Sequence, residues 1–408
     1  MRATSQHEGV KLTFILYRSY SAWLYCTDRY LNPDSNKTSF IQVRTDTFEK
    51  PLSPAHSPWP SPQSKAYRAS HLSRSRCNQK EMEFEDELVT LELKRFSKHT
   101  RQWRRTSRDS QDDIELSPPS SIRVLSWNID FIGDKPEARM QAALSHIQNE
   151  VFASEDGQKP APCCILLQEV SSEAFPVLLK NQWVRKHFMV IPTSADDFPN
   201  GTYGVVTLVS KSIPVSKAQS LIFGNSAMGR SALMVDVKLS LPNPTAKAEN
   251  GGSRSSEESE NLPTVTAPSL ITLRLANTHL ESLPTGVAAR PVQLANIASL
   301  LKEDGLHGGI VCGDMNIIRE SDLHIHEDAG LLDAWTGEDE EEGFTWGFQP
   351  PCQFAPGRLD RVFYTSACQE KCEISQPERV CIGLKRNGRW VTDHYGLLTT
   401  VSVKDEKS

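Results

Sequence analysis

Polar side chains adjoin short apolar runs at five separate places in this sequence. Each offers a carboxylate, an amide or an imidazole: Asn128, Glu169, His279, Asp314 with Asn316, and Asp393 with His394, the last pair preceding its run. Taken alone, each residue is typical of a turn or a helix cap. Their recurrence at five strand ends favours one shared site, where carboxylates can hold a divalent cation and imidazoles can move protons.

The apolar runs predict the elements that position these side chains. Strands are expected at Ile122–Trp127, Cys163–Leu167, Tyr203–Ser210, Ser231–Leu239, Ser269–Ala276, Gly309–Cys312, Arg361–Tyr364 and Leu397–Val403. Helical spacing predicts helices at Glu137–Val151, from about Ser172, and at Pro291–Lys302. Strands that alternate with helices and then continue as strands predict an α/β fold, a four-layer sandwich of two mixed β-sheets flanked by helices.

Residues 1–120 differ in composition from the rest of the chain. Pro51–Gln63 is rich in proline and serine, which favours extended, solvated backbone. We therefore expect a largely disordered N-terminal extension, a targeting or partner-binding arm, before a catalytic domain at residues 121–403. Within the extension, Glu81–Phe96 has the charge order of a helix. Lys94–Arg108 carries seven basic residues and is interpreted as a solvated segment, a nuclear address or an auxiliary nucleic-acid contact.

Residues 241–268 interrupt the alternation of strands and helices. This segment contains Asn-Gly-Gly-Ser, Ser-Ser-Glu-Glu and several prolines. It is predicted to be a surface insertion between two strands. Residues 404–408 are predicted to form a short tail.

Composition limits the classes of function. The chain has 408 residues with 45 Lys+Arg and 51 Asp+Glu, a net charge of -6, which excludes a globally basic binder but not a local basic groove. The nine scattered cysteines favour a reducing compartment, and Cys368, Cys372 and Cys381 lack the paired spacing of a zinc site. No run approaches the roughly 20 apolar residues of a membrane span. Leu12–Tyr25 is only a weak candidate for a signal or transit peptide.

Four motifs together resemble a known superfamily. They are Ser126-Trp127-Asn128-Ile129-Asp130, Leu167-Gln168-Glu169-Val170, Gly313-Asp314-Met315-Asn316 and Thr392-Asp393-His394-Tyr395-Gly396. In this order they resemble the endonuclease/exonuclease/phosphatase superfamily over about 280 residues. Thr278-His279-Leu280-Glu281-Ser282, with Arg290 downstream, is similar to the tyrosyl-DNA phosphodiesterase branch. The sequence departs from that branch at Phe131, where glycine is common, and at Ile318, where a phosphate-binding arginine usually stands.

The resemblance implies a metal-dependent phosphodiesterase. Because a hard carboxylate suits Mg²⁺, we expect Glu169 to bind Mg²⁺ or Mn²⁺, with Asn128 and Asp393 as further ligands. Asp314 is expected to orient and deprotonate the attacking water. The remaining catalytic candidates are expected to contact the phosphate or to support a residue that does: Asn316, His279, His394 as an imidazolium, and Asp360, which the resemblance places against the His394 ring. The substrate-binding candidates are Arg319, Ser282, Asp130 and Trp346.

The substrate implied by the resemblance is a 5′-phosphotyrosyl bond that joins a topoisomerase to a DNA end. The expected partner is a protein-linked DNA end, and the expected protein is a monomer without a membrane segment. Its expected location is the nucleus, with the cytoplasm and mitochondria as alternatives. Other functions left open are an AP endonuclease, a deadenylase, a sugar-phosphate or phosphoinositide phosphatase, a nucleic-acid-binding module with a decayed site, and a partner-binding arm in residues 1–120.

Overall fold

The computed structural model describes residues 2–7, 10–15, 85–105, 117–154, 158–242 and 269–405. The chain divides into two units, residues 1–81 and 82–408. In the first unit, β1 (Arg2–His7) and β2 (Val10–Ile15) pair antiparallel. The second unit contains two large mixed sheets, here called sheet I and sheet II, and all the predicted site residues.

Sheet I carries Asn128 and Glu169. Its nine strands are β4 (Lys94–Ser97), β5 (Gln102–Arg105), β6 (Ser121–Asn128), β7 (Cys163–Ser171), β8 (Phe188–Ile191), β9 (Tyr203–Ser210), β16 (Cys372–Ile374), β17 (Glu378–Val380) and β20 (Gly396–Val403). Their order is β16-β20-β6-β7-β9-β8-β4-β5, and β17 also pairs with β20. Because β6 and β7 run parallel, Asn128 lies beside Gln168 and next to Glu169.

Sheet II carries His279 and Asp314. Its seven strands are β3 (Glu87–Thr90), β10 (Val215–Ile222), β11 (Ser231–Ser240), β12 (Leu270–His279), β13 (Gly309–Asp314), β14 (Leu332–Asp333) and β15 (Asp360–Tyr364), in the order β14-β15-β13-β12-β11-β10-β3. β12 and β13 are parallel, so His279 lies opposite Asp314, and Asp314 in turn lies opposite Asp360 of antiparallel β15.

Among the described residues, six helices flank the sheets: the first five cover the outer faces, and the last adds Cys368 to the core between the sheets. They are α1 (Pro136–His146), which continues into a π-helical turn at Ile147–Val151, α2 (Phe175–Lys180), α3 (Gln182–His187), α4 (Ala289–Leu301), α5 (Ile325–Asp328) and α6 (Ser366–Lys371). A separate hairpin of β18 (Lys385–Arg386) and β19 (Arg389–Trp390) precedes β20.

The alternation of side chains along the strands produces three cores. In β6, Val124 points into the core between the two sheets, whereas Leu125 and Trp127 point into the core beneath the first three helices. A third core joins sheet II to α4, with Val311 and Ile297 among its members. Helix, sheet, sheet and helix therefore stack as four layers, and the predicted sandwich is confirmed.

A buried polar contact joins the two sheets beneath the site edge. Gln168 Nε2 donates to Asn277 Oδ1 at 2.8 Å, and Asn277 Nδ2 donates to the carbonyl oxygens of Leu167 and Val206. Both amide side chains are fully buried. Since buried amides need their hydrogen bonds, this contact fixes how the sheets stack.

The structure corrects the sequence analysis in the described part of residues 1–120. The helix predicted at Glu81–Phe96 is wrong, because the described residues of that segment form β3 and β4. β3 pairs with β10, and β4 pairs with β8, so pairing with existing sheet edges overrides helix propensity. The domain start predicted at residue 121 is wrong for the same reason. Pro51–Gln63 lies outside the described residues.

Other predictions concern connections and exposed segments. The insertion predicted at residues 241–268 connects β11 to β12, and residues 243–268 lie outside the described part. Eight of the described strands in the two sheets were missed: β3, β4, β5, β8, β10, β14, β16 and β17. Residues 406–408 of the predicted tail likewise lie outside the described residues. Among the described residues, no helix is long and apolar enough to cross a membrane.

Candidate active site

One edge of the sandwich collects the strand-end polar residues. The carboxyl ends of parallel β6 and β7 lie at this edge in sheet I, and those of parallel β12 and β13 lie there in sheet II. Asn128 Nδ2 donates across the two sheets to Asp314 Oδ2 at 3.0 Å. The site is therefore built jointly by both sheets.

Asp314 lies at the centre of this group. Besides its bond from Asn128, its Oδ2 atom lies 3.2 Å from His279 Nε2 and 3.8 Å from His394 Nε2. Its Oδ1 atom accepts the backbone N–H of Asn316 at 3.0 Å. Burial raises the pKa of Asp314 to about 6, although the nearby charge of His394 acts to lower it. This carboxyl is thus a stronger base than an exposed aspartate.

His394 is held as a cation by Asp360. Its Nδ1 atom lies 2.7 Å from Asp360 Oδ2. Burial acts to lower the pKa of His394, but the carboxylates of Asp360 and Asp393 outweigh it and hold that pKa well above its ordinary value. The position of the ring is fixed through its backbone oxygen, which accepts from Trp127 Nε1 and Gln349 Nε2. The contact that the resemblance implied between Asp360 and His394 is present.

His279 is in the opposite protonation state. Its Nδ1 atom lies 2.8 Å from Arg230 Nη1, and a guanidinium can only donate, so Nδ1 must carry a lone pair. Burial, then the charge of Arg230, lower the pKa of His279 well below its ordinary value. The ring is therefore neutral with its proton on Nε2, which faces Asp314.

Glu169 has the properties of a cation ligand. It lies in β7 with a positive φ of 55°, which turns its side chain out of the pleat toward the site edge. Oε2 accepts the backbone N–H of Phe131 at 3.0 Å, while Oε1 lies 3.7 Å from His279 Nδ1. Burial raises the pKa of Glu169 to about 7. A buried carboxylate of this kind gains from a cation that offsets its desolvation.

The donor set fits a hard divalent cation. Asn128 Oδ1 accepts one N–H, from Asp130 at 2.9 Å, which leaves a second lone pair. Asp393 adds a half-exposed carboxylate. With Glu169 these are oxygen donors, as Mg²⁺ prefers. Asp314, Asp360 and His394 also offer ligand atoms within 4.8 Å of one another, but Nδ1 of His394 is already bound to Asp360.

Three further predicted residues lie at the site. Asn316, with φ 50°, donates through Nδ2 to the backbone oxygen of Leu280, which leaves its second amide N–H free for a ligand. Ser282 Oγ accepts from Arg230 Nη2 at 2.8 Å and lies 3.5 Å from His279 Nε2. Trp346 donates through Nε1 to Asp393 at 2.8 Å. Their contacts with a substrate stay predictions.

The other two substrate-binding candidates make local contacts, and their contacts with a substrate stay predictions. Asp130 Oδ1 accepts the backbone N–H groups of Ile132 and Gly133, so this carboxylate stabilises the loop beside the site. Arg319 is exposed, and its backbone N–H donates to Asp322. These contacts give both residues local structural roles, and no contact joins either of them to Asp314.

Sequence reasoning missed Arg230, the buried cation of the site. It immediately precedes β11, where its guanidinium reaches His279 and Ser282 and lies 5.4 Å from the centre of the Tyr203 ring. Phe131 stacks on Tyr203 with ring centres 3.8 Å apart. Glu169, Tyr203, Arg230 and His279 line one shallow pocket. The sequence did contain a signal for Arg230, because it directly precedes the predicted strand Ser231–Leu239. His394 likewise lies a few residues before a predicted strand.

The fold and the site define a hydrolase of the α/β-sandwich class. A sequence profile of the Endonuclease/Exonuclease/phosphatase family matches residues 125–394, and the chain therefore belongs to this family. A comparison with curated protein sequences gave no match.

Among solved structures, TDP2 from Caenorhabditis elegans is 21% identical, with a TM-score of 0.50, over 69% of this chain and 74% of that chain. A humanized D. rerio TDP2 with 14 mutations is 19% identical, with a TM-score of 0.50, over 69% and 99%. A D. rerio TDP2 complexed with single-strand DNA product is 18% identical, with a TM-score of 0.49, over the same shares. The first two likenesses show a shared fold.

Proposed function

We propose that this chain is a Mg²⁺-dependent phosphodiesterase that hydrolyses a 5′-phosphotyrosyl bond at a DNA end. The observation that carries the proposal is the convergence on Asp314 Oδ2 of Asn128, His279 and His394, from three distant stretches of chain. A phosphodiester needs an oriented water, charge neutralisation on its oxygens and support for the leaving oxygen. Asp314 and the side chains around it can orient the water, neutralise charge and support the leaving oxygen.

The side chains divide the work according to their protonation. Asp314 accepts the proton of the attacking water, helped by its raised pKa. His394, charged by its contact with Asp360, neutralises a non-bridging phosphate oxygen. His279 is neutral and donates through Nε2, first to Asp314 and then to a second phosphate oxygen. The two rings thus provide charge and a neutral hydrogen bond at the same phosphate.

Glu169, with Asn128 and Asp393, would hold the cation. When bound, a divalent cation supplies Lewis-acid stabilisation of charge on the phosphate. The backbone N–H of Phe131 donates to Glu169 Oε2 and so orients the carboxylate that would bind the cation. Mn²⁺ is expected to substitute, since it also prefers oxygen ligands.

The pocket beside Glu169 supports a phenolic leaving group. Tyr203 and Phe131 form an aromatic wall, and Arg230 places a cation against it. A phenol fits this wall by its ring, and its pKa of about 10 makes it a better leaving group than a sugar hydroxyl. A protein-linked DNA end is therefore the proposed partner, and the nucleus is the proposed location.

A substrate panel tests this function. Wild-type protein and the Asp314→Asn variant are assayed with 5′-phosphotyrosyl DNA, abasic duplex DNA, poly(A) and a phosphoinositide, with Mg²⁺ or with EDTA. We expect hydrolysis of the phosphotyrosyl substrate at least about 10²-fold above the others, and its loss in the variant and in EDTA. Faster turnover of another substrate would reassign the substrate. Full activity of Asp314→Asn would contradict the role of Asp314.

A further inference from the structure

A second concave site lies at the end of sheet I opposite the candidate active site. It is lined by Lys159, Pro160, Lys186, His187, Ser210, Lys211 and Ser212, here called the lysine pocket. β9 connects the two places, since Tyr203 at its start lines the candidate active site and Ser210 at its end lines the lysine pocket. Seven residue steps of an extended strand separate them by about 23 Å.

The lysine pocket is strongly positive. None of its described lining residues is acidic, and three are lysines. Burial, then the charges of Lys186, Lys211, Lys159 and Lys98, lower the pKa of His187 to about 4. Burial, then the charges of Arg95 and Lys98, lower the pKa of Lys211 to about 8. Cations held together in this way raise the free energy of the protein unless an anion joins them.

Two buried polar atoms of the pocket lack partners within the described part of the chain. They are Ser212 Oγ, on a side chain that is 7% exposed, and His187 Nε2. A buried hydroxyl without a hydrogen bond costs about 1–3 kcal/mol, so its presence needs an explanation. A bound oxyanion would accept from both atoms.

A purely structural role, as a helix cap, explains the presence of only one lysine of the pocket, Lys211. Lys211 Nζ donates to the backbone oxygens of Arg185 and Lys186, so it caps the end of α3 and neutralises its last carbonyls. An ammonium has three N–H donors, and this cap uses two of them. It does not account for Lys159 or the hydroxyl of Ser212 at the same place.

We propose that the lysine pocket is a second binding site, which takes a phosphate group at a distance from the reaction. An oxyanion there receives charge-assisted hydrogen bonds from the lysines and a neutral one from Ser212. The basic hairpin of β4 and β5 adds Lys98 and Arg95 to the surrounding charge. The phosphate can belong to a free compound or to the 5′ end of an oligonucleotide. This proposal is independent of the substrate assigned to the active site.

Calorimetric titration of the full chain in EDTA tests the site, with pyrophosphate as the probe. The double variant Lys159→Gln/Lys186→Gln removes the charges of the two exposed lysines of the pocket. We expect it to weaken the binding of pyrophosphate at least tenfold. Lys238→Gln/Lys371→Gln removes the same charge elsewhere and should leave binding unchanged. Ser212→Ala removes a hydroxyl without a partner among the described residues and should weaken binding about fivefold, one neutral hydrogen bond, without lowering the melting temperature.

Two further titrations separate the sources and the sites. A 5′-phosphorylated oligonucleotide is compared with the same oligonucleotide bearing a 5′ hydroxyl. If Lys159→Gln/Lys186→Gln weakens the binding of pyrophosphate and of the 5′-phosphorylated strand equally, but not that of the 5′-hydroxyl strand, the site takes nucleic-acid ends. If the variant weakens the binding of pyrophosphate but of neither strand, the site takes a free phosphate compound. Loss of pyrophosphate binding in Arg230→Gln but not in Lys159→Gln/Lys186→Gln would overturn the proposal, as would no binding by the wild type at millimolar probe.

Discussion

Replacing Arg230 tests whether this buried guanidinium positions His279. Its two terminal nitrogens donate to His279 Nδ1 and to Ser282 Oγ, each at 2.8 Å. Lysine has the same charge but a single nitrogen, which cannot keep both contacts at this geometry. Arg230→Lys therefore separates the bidentate contact from the charge, and Arg230→Gln removes the charge as well.

The expected losses follow from these two bonds. A hydrogen bond from a charged donor contributes about 2 kcal/mol, and each 1.36 kcal/mol corresponds to a factor of ten in rate. If one bond is lost, Arg230→Lys lowers kcat/KM about 30-fold. If the charged donor is lost from both hydrogen bonds, Arg230→Gln lowers kcat/KM about 10³-fold. Most of the loss should fall on kcat, because without a donor at Nδ1 the proton of His279 no longer stays on Nε2, facing Asp314.

The assay is steady-state hydrolysis of a 5′-nitrophenyl thymidylate ester with Mg²⁺, alongside thermal unfolding of each variant. Ser282→Ala is the matched control, because it removes one acceptor and leaves the guanidinium on His279. It should cost about tenfold or less. Wild-type kcat/KM in Arg230→Lys, or a loss in Ser282→Ala as large as in Arg230→Gln, would refute the positioning role.

Three further results are expected. Phe131→Leu, which keeps an apolar side chain but removes the ring, should lower the free energy of unfolding by about 1 kcal/mol for the lost aromatic pair with Tyr203, measured by urea unfolding. An unchanged free energy of unfolding would contradict a stacking contribution. Asn277→Ala should lower the free energy of unfolding by about 3 kcal/mol, because it leaves several buried partners in sheet I without their hydrogen bonds. Asn296→Ala, which breaks one bond to Asp86, should cost about 1 kcal/mol. Similar losses would contradict the role of Asn277 between the sheets. A chain starting at Glu85 should keep full hydrolysis. A chain starting at Ser121 loses Leu93 from the core and should have a melting temperature at least about 5 °C lower. Equal melting temperatures of the two chains would show that β3–β5 do not stabilise the domain.

The sequence predicted the sandwich because its central strands are compact apolar runs, whereas half of the described strands in the two sheets were missed. β6, β7, β12 and β13 are of this kind, and the polar residues at their ends were predicted together with them. The strands toward the ends of the sheets were different. In β3 and β4 every residue is exposed or only half-buried, so neither has an apolar pattern, and pairing with β10 and β8 decides their structure.

Contacts between side chains from distant segments were the least predictable part of the site. Arg230 follows an irregular loop, and only the antiparallel register of β11 with β12, which pairs Ala232 with Thr278, brings it to His279. Arg319 shows the converse. Its proximity in sequence to Asn316 suggested a phosphate contact, but the chain turns at Asn316, with a positive φ, and Arg319 is exposed. The phosphate contact of Arg319 stays a prediction, and Arg230 is a buried arginine of the site that proximity in sequence did not identify.

The two histidines show why residue type alone does not assign chemistry. Both are buried beside Asp314, and burial acts on both to lower the pKa. Their second ring nitrogens decide the outcome, because His394 faces the carboxylate of Asp360 and His279 faces the guanidinium of Arg230. One ring is therefore a cation and the other a neutral donor, on either side of one carboxylate. Exchanging charge at either partner would leave two equivalent rings, and the carboxylate of Asp314 would no longer lie between an acid and a neutral donor.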